Sequence, residues 1–236
     1  LVALLATAAS CTARHAPPGA DTNAKAAPDS AASPASLPPG ATGLPPVDPA
    51  RLHAVLLNGG GTKQGNYQSH VIHLREMLAV LEEARVPREQ IVVFASDGED
   101  PGEDLATREL RPEGEGWLLE GTPLASSLAH PMEYVSTDIA GHTLRPATPE
   151  ALRAWFESEG PRIPAGDTLL VFVTDHGTPN KEDPIDTRIT MWGDKESFSV
   201  RELHAEIGRL DPGVRVVLLM SQCYSGGFAR ISARGA

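Results

Sequence analysis

The chain has 236 residues, 41% of them hydrophobic, and a formal net charge of -11. This suits a globular domain and leaves no basic stripe for DNA or RNA, so nucleic acid is excluded as a partner. The two cysteines, Cys11 and Cys223, lie in regions of different composition, which argues against a disulfide framework and asks for a separate reason for each.

Residues 1–11 form the first segment. LVALLATAAS is an apolar run closed by small residues, the pattern of a secretory signal's apolar region and cleavage site, and it is too short to span a membrane. Leu1 stands where an initiator Met and a basic stretch belong, so a missing start is expected. The run ends on Cys11, and TAASC resembles the lipobox of bacterial lipoproteins, with Ala8 where Leu is commonest. That resemblance implies lipidation of Cys11, an exported protein of the bacterial cell envelope, and membrane association by the lipid anchor only; plain secretion is the alternative. Residues 12–50 are rich in Ala, Pro, Ser and Gly and cannot bury enough apolar surface to fold, so they read as a tether.

Residues 51–236 have the size of one domain. Apolar runs beginning at His53, Gln90, Asp167 and Val214 read as strands, and because none alternates cleanly both faces of each are expected to be covered. Val71, Leu74, Leu78 and Leu81 recur at helical spacing within residues 70–85, ahead of Pro87. Thr148 as N-cap and Pro149 at the first helical position open a second helix that stops at Gly160. Ser199 and Glu202 have capping-box spacing and open a third, running to about Leu210. Residues 97–144 show no period and read as an irregular insertion. Alternating strands and helices predict an α/β fold: a doubly wound, mostly parallel sheet with helices on both faces. Only 13 residues follow Cys223, so further C-terminal strands are expected to be missing.

Two strand ends carry the chemistry. DTLLVFVT is followed at once by Asp175, His176 and Gly177, and VRVVLLMS by Gln222, Cys223 and a glycine-rich turn. Neighbouring parallel strands then bring an imidazole and a thiol to one edge, where ligand crevices form. The thiolate is the nucleophile, and an adjacent imidazole both favours it and can protonate a leaving group. Backbone N–H groups of Gly177 and Cys223 are suited to a developing oxyanion. Taken singly, a strand-end histidine is more often a polar rim residue and a cysteine more often inert packing; the pair carries the reading.

His176 lies 47 residues before Cys223, matching the roughly 50-residue spacing of caspases. VFVTDHG, the strand ending in Cys223, and GNYQSH (Gly65 to His70) together resemble the legumain type of caspase-fold cysteine peptidase, with REQIVVFASD where that family has its second strand. The similarity covers most of residues 52–228. It implies a cysteine endopeptidase acting on protein or peptide substrates through a His176–Cys223 dyad and an acyl-enzyme, Gly177 as an oxyanion contributor, and Asn66 orienting the histidine. No metal or organic cofactor is implied. Gln68 and Ser69 replace the family's Arg-His pair, and Ser221 replaces the acidic residue two positions before the cysteine, so neither an asparagine nor a basic preference is supported. Transpeptidation or ligation would use the same dyad. A non-catalytic scaffold or a nucleotide-binding α/β module are the rival readings, and the oligomeric state is open.

Other features have duller explanations. NGGGTKQGNY, from Asn58, has the outer glycine spacing of a phosphate loop, but Asn66 and Tyr67 stand in place of Lys and Ser/Thr, so a tight turn is expected. His70 and His73 make half a metal site with no third ligand, and a solvated or partly buried helix face is the default. DGEDPGED, from Asp97, has Gly102 at the sixth position of a calcium loop but Arg108 at the twelfth, so a solvated acidic loop is expected. Trp192 reads as a hairpin side chain near the cleft.

Overall fold

The structure, a computed structural model, describes residues 2–6, 47–107, 122 and 133–233. The four apolar runs form strands β2 (Leu52–Asn58), β3 (Ile91–Ala95), β7 (Thr168–Val173) and β11 (Arg215–Met220). With β6 (Leu144–Arg145) they make a five-stranded parallel sheet in the order β11, β7, β2, β3, β6. Within the segment read as a signal, the backbone of β1 (Val2–Ala6) runs parallel to β11 on its outer edge as a sixth strand. Cys11 and the tether up to residue 46 lie outside the described residues.

Helix α1 (Gln68–Glu83) buries Val71, Leu74, Leu78 and Leu81 against Ala54, Leu56 and Val93 on one face of the sheet. Helices α2 (Pro149–Ser158) and α3 (Val200–Ile207) cover the other face, placing Leu152, Trp155, Phe156 and Leu203 against Val55, Leu57, Leu169 and Leu218. The caps act as their residue types predict. The Thr148 side chain accepts from Ala151 N at 3.2 Å, and Ser199 and Glu202 close a reciprocal capping box. α3 stops at Ile207, about a turn earlier than its spacing predicts, with Gly208 as its C-cap.

Among the described residues, the expectation that every strand is covered on both faces fails at β11. Val216, Leu218 and Met220 are buried beneath the α2/α3 face, whereas Val217 and Leu219 on the α1 side are only half-buried. Outside the sheet, β8 (Gly177–Thr178), β9 (Arg188–Thr190) and β10 (Ser197–Ser199) form an antiparallel ribbon, with Trp192 in the β9–β10 connection packed on the core. The insertion contributes β4 (Leu105–Ala106) and β5 (Tyr134–Val135), paired antiparallel; Arg108 lies outside the described residues. The chain continues past β11 through a 3-10 turn (Ser225–Phe228) into α4 (Ala229–Ala233). No helix among the described residues is long and apolar enough to cross a membrane.

Candidate functional site

β7 and β11 are paired in register, Val173 opposite Met220. His176 and Cys223 each follow three residues after that last pair, so the equal overhang carries both to the same end of adjacent strands. The overhangs are tied together: Ser221 donates to the Val173 carbonyl through both its backbone N (3.0 Å) and its hydroxyl (2.9 Å). Gly177 then passes so close to Cys223 that a Cβ there would stand 1.9 Å from the Cys223 carbonyl oxygen. Only glycine permits that approach. Cys223 is half-buried and in no disulfide.

The chain turns sharply after the thiol. Tyr224 is left-handed, with φ 60°, a conformation uncommon for a residue with a side chain and found disproportionately at functional sites. Its carbonyl accepts from the Thr187 hydroxyl at 2.9 Å, which fixes the turn against the β8–β9 ribbon. Sequence reasoning missed Tyr224; the signal available was a cysteine one residue before it and two glycines just beyond.

His176 is held on three sides. Its Nε2 lies 2.8 Å from the Gly65 carbonyl, and the rings of Tyr67 and His70 stand edge-on to it, with centroids 5.1 and 4.9 Å away. A carbonyl only accepts, so Nε2 carries the hydrogen in this contact and the lone pair of the neutral ring sits on Nδ1. Asn66, expected to orient the histidine, does not bond to it. Its Oδ1 accepts from Asn58 Nδ2 at 2.8 Å, and its Nδ2 donates to Ser96 Oγ at 2.6 Å and the Asp104 carbonyl at 2.8 Å. Fully buried, Asn66 anchors the loop, and the carbonyl of its neighbour Gly65 makes the contact.

Asp175 is the second residue that sequence reasoning passed over. Its carboxyl accepts from the backbone N–H groups of Gly59 (2.5 Å), Gly60 (3.0 Å) and His176 (2.5 Å), so one side chain joins the histidine strand to the loop that holds the histidine. Burial pushes its pKa up to about 7, against the opposing pull of the three amides. Gly60, with φ +71°, is glycine because a Cβ would lie 2.4 Å from that of Asn66. The amides that a phosphate loop would present to its ligand include two already committed to Asp175, which removes the nucleotide-binding reading's main support.

His73 places Nδ1 2.9 Å from the Thr174 hydroxyl, and His70 packs on His176. Among the described residues no three His, Cys, Asp or Glu side chains gather as a metal site. In the acidic loop, burial, followed by the neighbouring Asp104 carboxyl, holds Asp97 well above the usual carboxylate range. Asp104 is fully buried and accepts from Thr137 N at 2.5 Å, so this end of the loop is packed and not solvated as its composition predicts. No protein-family model matches the chain, and no curated protein matches it either.

Proposed function

We propose that this domain is a caspase-like cysteine endopeptidase. The observation that carries the reading is the equal three-residue overhang of His176 and Cys223 beyond paired parallel strands, with Nε2 of the histidine committed to the Gly65 carbonyl. His176 Nδ1 takes the thiol proton, and the Cys223 thiolate attacks a peptide carbonyl carbon. The C–O π electrons move onto oxygen, and the backbone N–H groups of Gly177 and Cys223 bind that oxyanion. Collapse of the adduct expels the amine, which takes the proton from the imidazolium. Water, deprotonated by the neutral imidazole, then attacks the thioester and releases the carboxylic acid and the thiol. An amine entering in place of water would yield a new peptide bond.

The reading includes export and a lipid on Cys11, supported by the apolar run, the small residues before the cysteine and the Pro/Ala-rich tether. Cleavage before Cys11 would also remove Val2–Ala6 from the edge of β11 and leave that edge open. Incorporation of a fatty-acid analogue into the wild-type protein but not Cys11→Ala checks this part.

The central test is hydrolysis of a broad peptide mixture by the protein and by Cys223→Ala, with acid-quenched mass spectrometry for a thioester on Cys223. Cleavage lost in the variant, together with an acyl adduct on Cys223, is expected. Cleavage that survives in Cys223→Ala would sink the proposal.

A further inference from the structure

We infer that the cavity beside Cys223 receives a large apolar side chain of the substrate, the one next to the bond that is cut. This deepens the peptidase reading and rests on it.

The cavity, about 670 Å³, lies between α1 and the sides of β7 and β11 that face it, of which the β11 side is half-covered. Its walls include Thr174, Asp175 and Ser221, which stand one or two residues before His176 and Cys223, and His70, whose ring centroid lies 4.9 Å from that of His176, so it adjoins the proposed dyad. Strand side chains alternate, so the positions two residues lower continue the same wall: Phe172 below Thr174 and Leu219 below Ser221. These two are register partners and form the floor side by side. Met77 and Val80 close it from α1, and Val80 is 58% exposed. Along α1 the wall runs from Ser69 to Val80, roughly 16 Å at 1.5 Å per residue, deep enough for a leucine, methionine or phenylalanine side chain.

Permanent positive charge is what the lining lacks. Among the described lining residues there is no arginine or lysine, and the cations it can offer are the imidazoles of His70 and His73, the second bonded to Thr174. An acidic side chain therefore meets no permanent counter-charge. Of the carboxyls, Asp175 is committed to three backbone amides, and Glu76, on the α1 wall, is exposed to water, where an ion pair contributes little. A basic side chain finds no partner at the mouth, where Ser221 gives its hydroxyl to Val173. A charge buried without a partner is strongly disfavoured, whereas a well-filled apolar pocket rewards each added methylene about ten- to hundredfold.

The test uses peptidyl fluoromethyl ketones that differ only in the residue bearing the electrophile, with Cys223 labelling timed by mass spectrometry beside iodoacetamide, which needs no side-chain pocket. Leucine, methionine and phenylalanine probes should label at least about a hundredfold faster than aspartate, asparagine, lysine or arginine probes. Ser221→Ala should keep that order. Ser221→Asp should raise the lysine probe at least about tenfold relative to leucine, each rate being divided by the iodoacetamide rate of the same variant. A charged or flat preference in the wild type, or an order that Ser221→Asp leaves intact because another segment fills the groove, overturns the pocket and leaves the peptidase reading standing. Slow labelling by every probe, with iodoacetamide alkylation that His176→Ala does not alter, overturns both.

Discussion

Two glycine-rich turns follow parallel strands at the same end of the sheet, and they behave in opposite ways. After β2, residues 59–65 turn inward: Gly59 and Gly60 give their amides to Asp175, Asn66 fills the space over Gly60, and the Gly65 carbonyl faces His176. After β11, the chain turns outward through the left-handed Tyr224 and leaves a half-buried thiol at the rim. The same residue type serves both, through different physics. In the first turn glycine is needed for close packing and the backbone groups are consumed internally. In the second the turn carries the cysteine, and the first turn holds the histidine at the same end of the sheet through the Gly65 carbonyl. A glycine-rich loop after a strand is thus a binding element only where its amides are left to bind.

Substitutions at the two turns should separate these roles. Cys223→Ala is expected to abolish hydrolysis, about 10⁴-fold or more, with thermal stability little changed. His176→Ala should cost about 10²–10⁴-fold in kcat/KM, the range of general acid–base catalysis. Gly177→Ala comes next. A Cβ 1.9 Å from the Cys223 carbonyl must push the two overhangs apart, so a loss of about a hundredfold or more is expected alongside a lowered Tm. A Gly177→Ala protein with full activity would mean that the two overhangs are not in contact.

Asp175→Asn tests the inward turn. The amide can accept but no longer spans all three N–H groups as a carboxyl does, so about 1–3 kcal/mol of stability is expected to be lost. The pH dependence follows from the same group. Asp175, pushed up to about 7, binds its proton more tightly folded than unfolded, as does Asp97 in the same direction. The unfolded chain therefore releases protons first as pH rises, and stability should fall between about pH 4 and pH 7. Asp167 runs the other way. Burial raises its pKa, but hydrogen bonds from Arg51 (2.8 Å) and His53 (3.1 Å), and their charge, bring it below the usual value, so its contribution is lost only in more acidic solution. Thermal melts of the wild type from pH 4 to 7.5 should show Tm falling, with a shallower slope in Asp175→Asn. A Tm that rises across that range would contradict the assignment. The smallest effect is expected far from the site: Thr148→Ala and Ser199→Ala should each cost about 1 kcal/mol through loss of a helix cap, with activity unchanged.

The central strands and three helices were legible because their signals are local: apolar runs of strand length, a 3.6-residue stripe on α1, and caps at Thr148 and Ser199. The placement of His176 and Cys223 at one end of neighbouring strands was legible too, since each follows an apolar run at once. What escaped needed contacts between distant parts of the chain. That Gly65, not Asn66, faces the histidine depends on where Asn58, Ser96 and Asp104 lie in space. Asp175 reads in sequence as a polar strand end, and its burial is visible only when the β2 loop folds over it. The half-covered face of β11 was likewise hidden, because an unbroken apolar run looks the same whether one helix or two pack against it.

The measurement that bears most directly on the central claim is the rate of iodoacetamide alkylation of Cys223 across pH, beside His176→Ala, in protein shown by circular dichroism to be folded. Alkylation that stays fast well below pH 8, and in the variant shifts to the ordinary thiol profile centred near about 8.5, is the predicted result. Slow alkylation with one ordinary profile in both proteins would contradict the claim that this fold builds an activated thiol.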